Sequence, residues 1–264
     1  MNLDLEKITR ELIASLKLSA NFIREEYEVF SSDKIEKKGR YNNLVSYVDK
    51  QAEQMLVKNL SHLLPEAGFL TEENTTSTGK KEYNWVIDPL DGTTNFIHGL
   101  PLFTTTAALV HQNTVLAGVT IDPMRNEIYA AWQGGGAWLN DKPIKVSNIT
   151  SIEDALVITG FPYDLKGHTP KYYTIIQEFS NRCHGVRRLG SAALDMAYVA
   201  SGRAEAFFEY NLNLWDIAAG IVLVQEAGGK TTDFQGGDGC MNGSEVLCAG
   251  LAHRPIMEII QNNW

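Results

Sequence analysis

Apolar residues recur at helical spacing over residues 3–30, where Leu5, Ile8, Leu12, Leu16, Phe22, Ile23 and Tyr27 fall mostly on one face. Side chains three and four residues apart share one stripe of an α-helix, so a long amphipathic helix is expected. The lysine-rich stretch SSDKIEKKGRYNN follows and reads as a loop or a short hairpin. Helical spacing resumes from about Leu44 to Leu64, with Val45, Val48, Ala52, Met55, Leu56, Leu60 and Leu63 on one side, and Pro65 and Gly68 end it.

The period then changes. Segments 84–88, 103–111, 114–121 and 127–133 are β-branched and aromatic and are separated by turn signals, Asn113 in HQNT among them. An antiparallel β block is expected there. The glycines and proline of GGGAWLNDKP mark a turn and a seam between two halves. From Ser151 strands and helices alternate. ALVITGF and AEAFFEY read as strands, 170–181 as a helix, and GVRRLGSAALDMAYVASG as a strand end, a turn and a helix. WDIAAGIVLVQEAGG reads as a helix closed by Gly-Gly, SEVLCAG as a strand and AHRPIMEIIQNN as a last helix. The expected architecture is layered, an α-plus-antiparallel-β half over 1–145 and an alternating α/β half over 146–264.

Composition narrows the function classes. The chain has 264 residues, 44% hydrophobic and 21% charged, which suits a globular protein with a sizeable core. A net charge of −9 argues against a general nucleic-acid binder, which needs a basic footprint. It leaves room for an anionic small substrate, because a bound cation supplies positive charge locally. Cys183, Cys240 and Cys248 are odd in number and lack C-x-x-C spacing, so they read as ordinary thiols. The N-terminus carries acidic residues without a signal-like apolar region, and no apolar run approaches a membrane span. A cytoplasmic protein without a membrane partner is expected.

Against this background WVIDPLDGTTNF, Trp85–Phe96, stands out, since an apolar strand-like run ends in Asp88 and Asp91. Pro89, Asp91 and Gly92 are good turn residues, so both aspartates have a plain reading as turn formers. They also suit a hard divalent cation, which takes oxygen ligands. Three further acidic places join them: Glu72 and Glu73 in GFLTEEN, Asp216 in NLWDIAAG and Asp49 in LVSYVDKQ. Each has an ordinary alternative: a solvated loop for Glu72, a helix N-terminal aspartate for Asp216, an exposed helix residue for Asp49.

Together these segments resemble the inositol monophosphatase family. WVIDPLDGTTNF is similar to one family signature and NLWDIAAGIVLVQEAGG to the other, and the TEE triplet resembles the family's G-E-E. The resemblance runs from Lys38 through Gly250. It implies a layered αβαβα sandwich of mixed α+β and α/β character, and a homodimeric, lithium-sensitive, Mg²⁺-dependent phosphatase of polyol phosphates such as myo-inositol 1-phosphate. Glu72, Asp88 and the Leu90 carbonyl would bind a first Mg²⁺. Asp88, Asp91 and Asp216 would bind a second, with Asp88 bridging, and a third ion would lie near Glu72. Gly92 and Thr93 would meet the phosphate, and Asp49 would bond the Thr93 hydroxyl and orient the attacking water, making Glu72, Thr93 and Asp49 the implied catalytic set. Gly190, Ser191 and Ala192 in GSAALD, with Glu209 and Asp216, would border the polyol. Ser191 also reads as a helix N-cap, and Arg187, Arg188 and Arg203 as phosphate, dimer or ion-pair residues.

The chemistry explains such a pattern. Ester hydrolysis by two metals roughly 3.5–4 Å apart needs one carboxylate bridging them and others on either side. A helix beginning near Thr93–Thr94 would aim its N–H groups at the phosphate. The chain departs from the family at Thr71, where glycine is usual, and at Asn43, often an aspartate. Lys38 falls at a mobile-loop lysine position with different flanks. Relatives that cleave 3'-phosphoadenosine 5'-phosphate, fructose 1,6-bisphosphate or histidinol phosphate share the D-P-x-D-G-T core, but TTNFIHG is closer to the inositol monophosphatase branch. A regulatory partner of the transcription machinery is the alternative of a different class.

Overall fold

The computed structural model describes residues 3–31, 35–37, 44–76, 79–162 and 164–264. Lys38 and Asn43 lie outside the described residues.

Helix α1 (Leu5–Val29) begins at Asp4, whose side chain accepts from Lys7 N–H, and buries Ile8, Leu12, Leu16, Ala20 and Ile23 along one stripe. Strands β1 (Ile35–Lys37) and β2 (Leu44–Ser46) pair antiparallel. Helix α2 (Tyr47–Leu63) therefore starts three residues later than the apolar spacing predicts. The reason is local. Ser46 Oγ accepts from Val48 N–H (3.1 Å) and Asp49 Oδ2 accepts from Ser46 N–H (2.8 Å), a reciprocal cap that fixes the first turn.

The first sheet has seven strands in sequence order: β3 (Gly68–Thr71), β4 (Tyr83–Asp91), β5 (Thr104–His111), β6 (Thr114–Asp122), β7 (Glu127–Trp132), β8 (Gly136–Leu139) and β9 (Lys142–Ile144). Only β3 and β4 pair parallel within it. GGGAWLNDKP supplies a turn and most of the sheet's last hairpin. Asn140 and Asp141 have φ of 46° and 64°, the left-handed pair that matches the twist of the flanking strands.

The second sheet has the order β11 (Gly185–Arg187), β10 (Leu156–Thr159), β12 (Ala206–Tyr210), β14 (Glu245–Ala249) and β13 (Lys230–Thr232). Its β10 pairs parallel with β11 and β12, while β14 is antiparallel to β12 and β13. Among the described residues five further α-helices, α3 (Thr93–Ile97), α4 (Thr169–Arg182), α5 (Ala192–Ala200), α6 (Leu214–Glu226) and α7 (His253–Asn263), and a 3₁₀ turn over Gly239–Asn242 complete the fold.

Side-chain alternation on β4 sets the layers. Trp85 and Ile87 face α1 and α2, packing with Leu12, Leu16, Leu56 and Leu60. Val86 faces the other way, into a core that joins Met196 of α5 and Val222 of α6 to Phe207 and Cys248 of the second sheet. Tyr172 and Phe179 of α4 and Ile256 and Ile260 of α7 close the far face over Phe208 and Leu247. The result is an αβαβα sandwich. The N-termini of α5 and α6, in its middle layer, meet the ends of β3, β4, β10 and β12 at one cleft.

Candidate active site: an acidic cleft at the strand ends

Residues three apart on a regular strand point to opposite faces. Asp88 and Asp91 escape this because β4 carries an extra residue between them: Asp88 pairs with Thr106 and Asp91 with Thr104 across β5. The strand does not stop at Pro89, as turn chemistry predicts. It continues through a bulge, a place where a strand tolerates proline. Both carboxylates then line one cleft of about 180 Å³. Asp88 Oδ1 accepts from Leu90 N–H (3.0 Å), which stiffens the bulge. Gly92 follows with φ 96°, and a Cβ there would stand 2.9 Å from Leu102 O. Only glycine suits that turn, and α3 begins directly after it. The Thr93 hydroxyl lies 2.8 Å from Asp49 Oδ1 and 3.0 Å from the Leu90 carbonyl, a donor to either.

Each remaining acidic group arrives on its own element. Glu72 follows β3, its N–H bonded to Ile87 O (3.2 Å). Asp216 sits in the first turn of α6, where its Oδ2 accepts from Asn213 N–H (2.6 Å), and it lines the cleft as well. Ser191 caps α5 and donates to Asp91 Oδ2 (2.7 Å), which also accepts from Ala193 N–H (2.7 Å). Asn95 of α3 donates to Leu102 O (2.7 Å) and Leu189 O (2.8 Å), tying the two walls together. Gly190, Ala192 and Arg188 complete the lining here. The arginines separate: Arg203 makes a double ion pair with Glu127 (2.6 Å), and Arg187 Nη1 bonds its neighbour's carbonyl. Neither lines the cleft.

Gly160, Asp195 and Glu53 were not singled out by sequence reading. Glu209 of β12 projects over Gly160 so closely that a Cβ at 160 would stand 2.0 Å from Glu209 Oε2. Asp195 of α5 is buried at the same end, with its Oδ1 lacking a hydrogen-bond partner. Glu53, fully buried on α2, accepts four hydrogen bonds from the segment carrying Glu72. A signal for Glu53 exists: it lies one turn after Asp49, between Ala52 and Leu56 on the apolar stripe. Gly160 has none, since its partner is 49 positions away.

Electrostatics sets the cleft apart. Burial, then repulsion from Glu72, Asp91 and Asp216, pushes Asp88 well above the ordinary carboxylate range. Burial likewise raises Asp216, with Asp91 and Glu72 adding to it. Asp91 rises to about 6 through burial, against the pull of Ser191. Asp49 reaches about 6 and Glu209 about 8, again through burial first. Such crowding of desolvated acids is costly unless a cation neutralises it. Among the described residues, no three His, Cys, Asp or Glu side chains stand close enough together to hold a metal ion. The donor set nevertheless fits a hard divalent ion. It is all oxygen, and Arg188 is the one basic lining residue among those described. A larger cavity of about 780 Å³ beside β3 and α6 is lined mainly by amides and aliphatic groups, with Asp238 its one acid among the described residues. Convergent chemistry, not volume, marks the smaller cleft.

The model of the inositol monophosphatase family matches residues 4–264. An inositol-1-monophosphatase of Mesorhizobium japonicum is 41% identical over 82% of both chains. The Nus factor SuhB of Escherichia coli is 40% identical over 87% of this chain and 86% of its own. The crystal structure of the extragenic suppressor protein suhB from Bartonella henselae superposes with a TM-score of 0.91 at 34% identity, over 98% of this chain and all of that one. With the family match spanning nearly every residue, and the fold and cleft described above, the chain belongs to the inositol monophosphatase family.

Proposed function

We propose that this protein is a Mg²⁺-dependent phosphomonoesterase of the acidic cleft, hydrolysing a polyol monophosphate of the myo-inositol 1-phosphate type. The observation that carries this reading is the β4 bulge, which turns Asp88 and Asp91 into one cleft with Glu72 and Asp216 beside the start of α3. Glu72, Asp88, the Leu90 carbonyl, Asp91 and Asp216 would hold two to three ions. Bound Mg²⁺ would lower the pKa of water and neutralise charge on the phosphate.

The chain's own groups do the rest. Asp49 accepts a hydrogen bond from the Thr93 hydroxyl at Oδ1 (2.8 Å). The Thr93 oxygen then presents its lone pairs to a water and orients it. Gly92 and Thr93, at the start of α3, face the substrate phosphate. Ser191, Gly190 and Ala192 shape the polyol side, and Glu209 reads its hydroxyls. The reading extends to a cytoplasmic homodimer that Li⁺ inhibits.

Phosphate release from a small panel tests it: inositol 1-phosphate, fructose 1,6-bisphosphate, 3'-phosphoadenosine 5'-phosphate, histidinol phosphate and glycerol 2-phosphate, each with Mg²⁺, EDTA or added Li⁺. Preference for inositol 1-phosphate, lost with EDTA and reduced by Li⁺, is expected. Preference for another ester would move the error to Ser191, Glu209 and their neighbours. The name Nus factor SuhB of the E. coli relative favours a second reading, a partner of the transcription machinery. That reading expects stable copurification with RNA polymerase, unaffected by Asp88→Asn.

A further inference from the structure

Glu53 is a buried carboxylate with no place in the chemistry above, and its four hydrogen bonds all go to one short segment. Oε1 accepts from the Thr71 hydroxyl (2.9 Å), Thr75 N–H (2.7 Å) and the Thr75 hydroxyl (2.7 Å). Oε2 accepts from Glu73 N–H (2.7 Å). The residues on both sides of Glu72 are therefore fastened to one side chain, while Glu72 N–H itself is fastened to β4 through Ile87 O. One turn earlier on the same face of α2, Asp49 holds the Thr93 hydroxyl (2.8 Å).

We propose that Glu53 is a positioning residue that fixes Glu72 relative to Thr93, with α2 as the rigid spacer between them. This rests on the reading of Glu72 as a cation ligand. The Thr71 hydroxyl ties the end of β3 to Glu53, alongside the ties from Glu73 and Thr75. A carboxyl group that gathers several N–H and O–H donors is a strong, directional anchor. Outer-shell partners of this kind typically change metal affinity by about 10–100-fold when removed.

Two variants of the full chain test the proposal, Glu53→Gln and Thr71→Val, each melted by circular dichroism without metal to establish folding. Glutamine keeps the shape of Glu53 but presents an N–H where Glu73 or Thr75 needs an acceptor. Hydrogen exchange of the 72–75 amides and the Mg²⁺ concentration for half-maximal hydrolysis are then measured. The expected result is faster exchange in Glu53→Gln with half-saturating Mg²⁺ raised roughly tenfold or more, while kcat at saturating Mg²⁺ falls less. Thr71→Val, which risks the fold less, moves both readouts in the same direction by a smaller factor. Faster exchange with unchanged Mg²⁺ dependence would reduce Glu53 to a structural role and overturn the proposal, as would wild-type behaviour in both readouts. A wild-type enzyme with no Mg²⁺ requirement would instead sink the cation reading. The exchange data alone would then judge the clamp, unchanged protection overturning it.

Discussion

Glu209 illustrates how one side chain couples fold and chemistry. Its carboxyl is buried and carries a folded-state pKa of about 8, against an ordinary value of 4.5. The folded chain thus holds this proton more tightly than the unfolded chain. The contribution to stability is fully present below about pH 4.5 and is lost as pH rises through about 8. Thermal melts of the metal-free protein should therefore fall between pH 5 and 9, and fall less steeply for Glu209→Gln. Parallel curves for the two proteins would remove Glu209 from the titration. The contact with Gly160 makes a separate test. Since a Cβ at 160 meets only the far end of Glu209, Gly160→Ala should swing the carboxylate aside and leave the fold intact. Loss of one hydrogen bond to a charged or protonated acid suggests about a tenfold fall in kcat/KM for a polyol phosphate. An aryl phosphate without ring hydroxyls should be hydrolysed as before. Equal losses on both substrates would mean that Glu209 does not read hydroxyls.

At the scale of elements, β4 lines the cleft while α2 holds Thr93 and the Glu72 segment from behind, and the two were unequally legible. Helical spacing in α1 and the strand runs of β5 to β7 could be read because burial imposes its period over many residues. The start of α2 could not. Leu44 and Val45 continue the apolar spacing, yet they pair with β1, and the choice is made by the Ser46–Asp49 cap. Ser46→Ala should cost about 1 kcal/mol in denaturant unfolding, the usual value of a cap. It should also free Asp49 from one of its anchors; an unchanged midpoint would show that tertiary packing alone sets this helix end. In β4 the motif was legible and its geometry was not. Pro89 and Gly92 read as one turn, whereas the chain runs on through Pro89 as a bulge and turns only at Gly92. A bulge depends on the neighbouring strand, which local sequence does not contain. Strand β13 is three residues long, too short to show a period. Among the acidic residues that line the cleft, Glu72, Asp88, Asp91, Glu209 and Asp216 were legible through the family resemblance, whereas Asp195 and Gly160 depend on contacts between distant segments, and Glu53 shows only as a polar position on the apolar stripe of α2.

For the whole molecule, the sandwich brings buried and half-buried acids together from β4, α5, α6, β12 and the residue after β3, and their repulsion is a standing cost to the metal-free fold. A cation that binds the folded chain alone stabilises it by mass action. Mg²⁺ should raise the melting temperature of the wild-type protein. Asp91→Asn should melt higher than wild type without metal, because one mutually repelling acid is gone while the amide oxygen still serves Ser191 and Ala193. The same variant should lose the Mg²⁺-induced rise. A variant that melts lower and still responds to Mg²⁺ would place the cation elsewhere.

The most direct test of the cleft as a metal-dependent phosphatase site is phosphate release from inositol 1-phosphate across a Mg²⁺ titration, for wild type, Asp91→Asn and Asp216→Asn. The expected result is Mg²⁺-dependent turnover in the wild type, abolished by EDTA, with both folded variants at the metal-free background. Near-normal turnover of either variant at saturating Mg²⁺ would contradict the assignment of that aspartate, and of both variants would remove the cleft as the site of the chemistry.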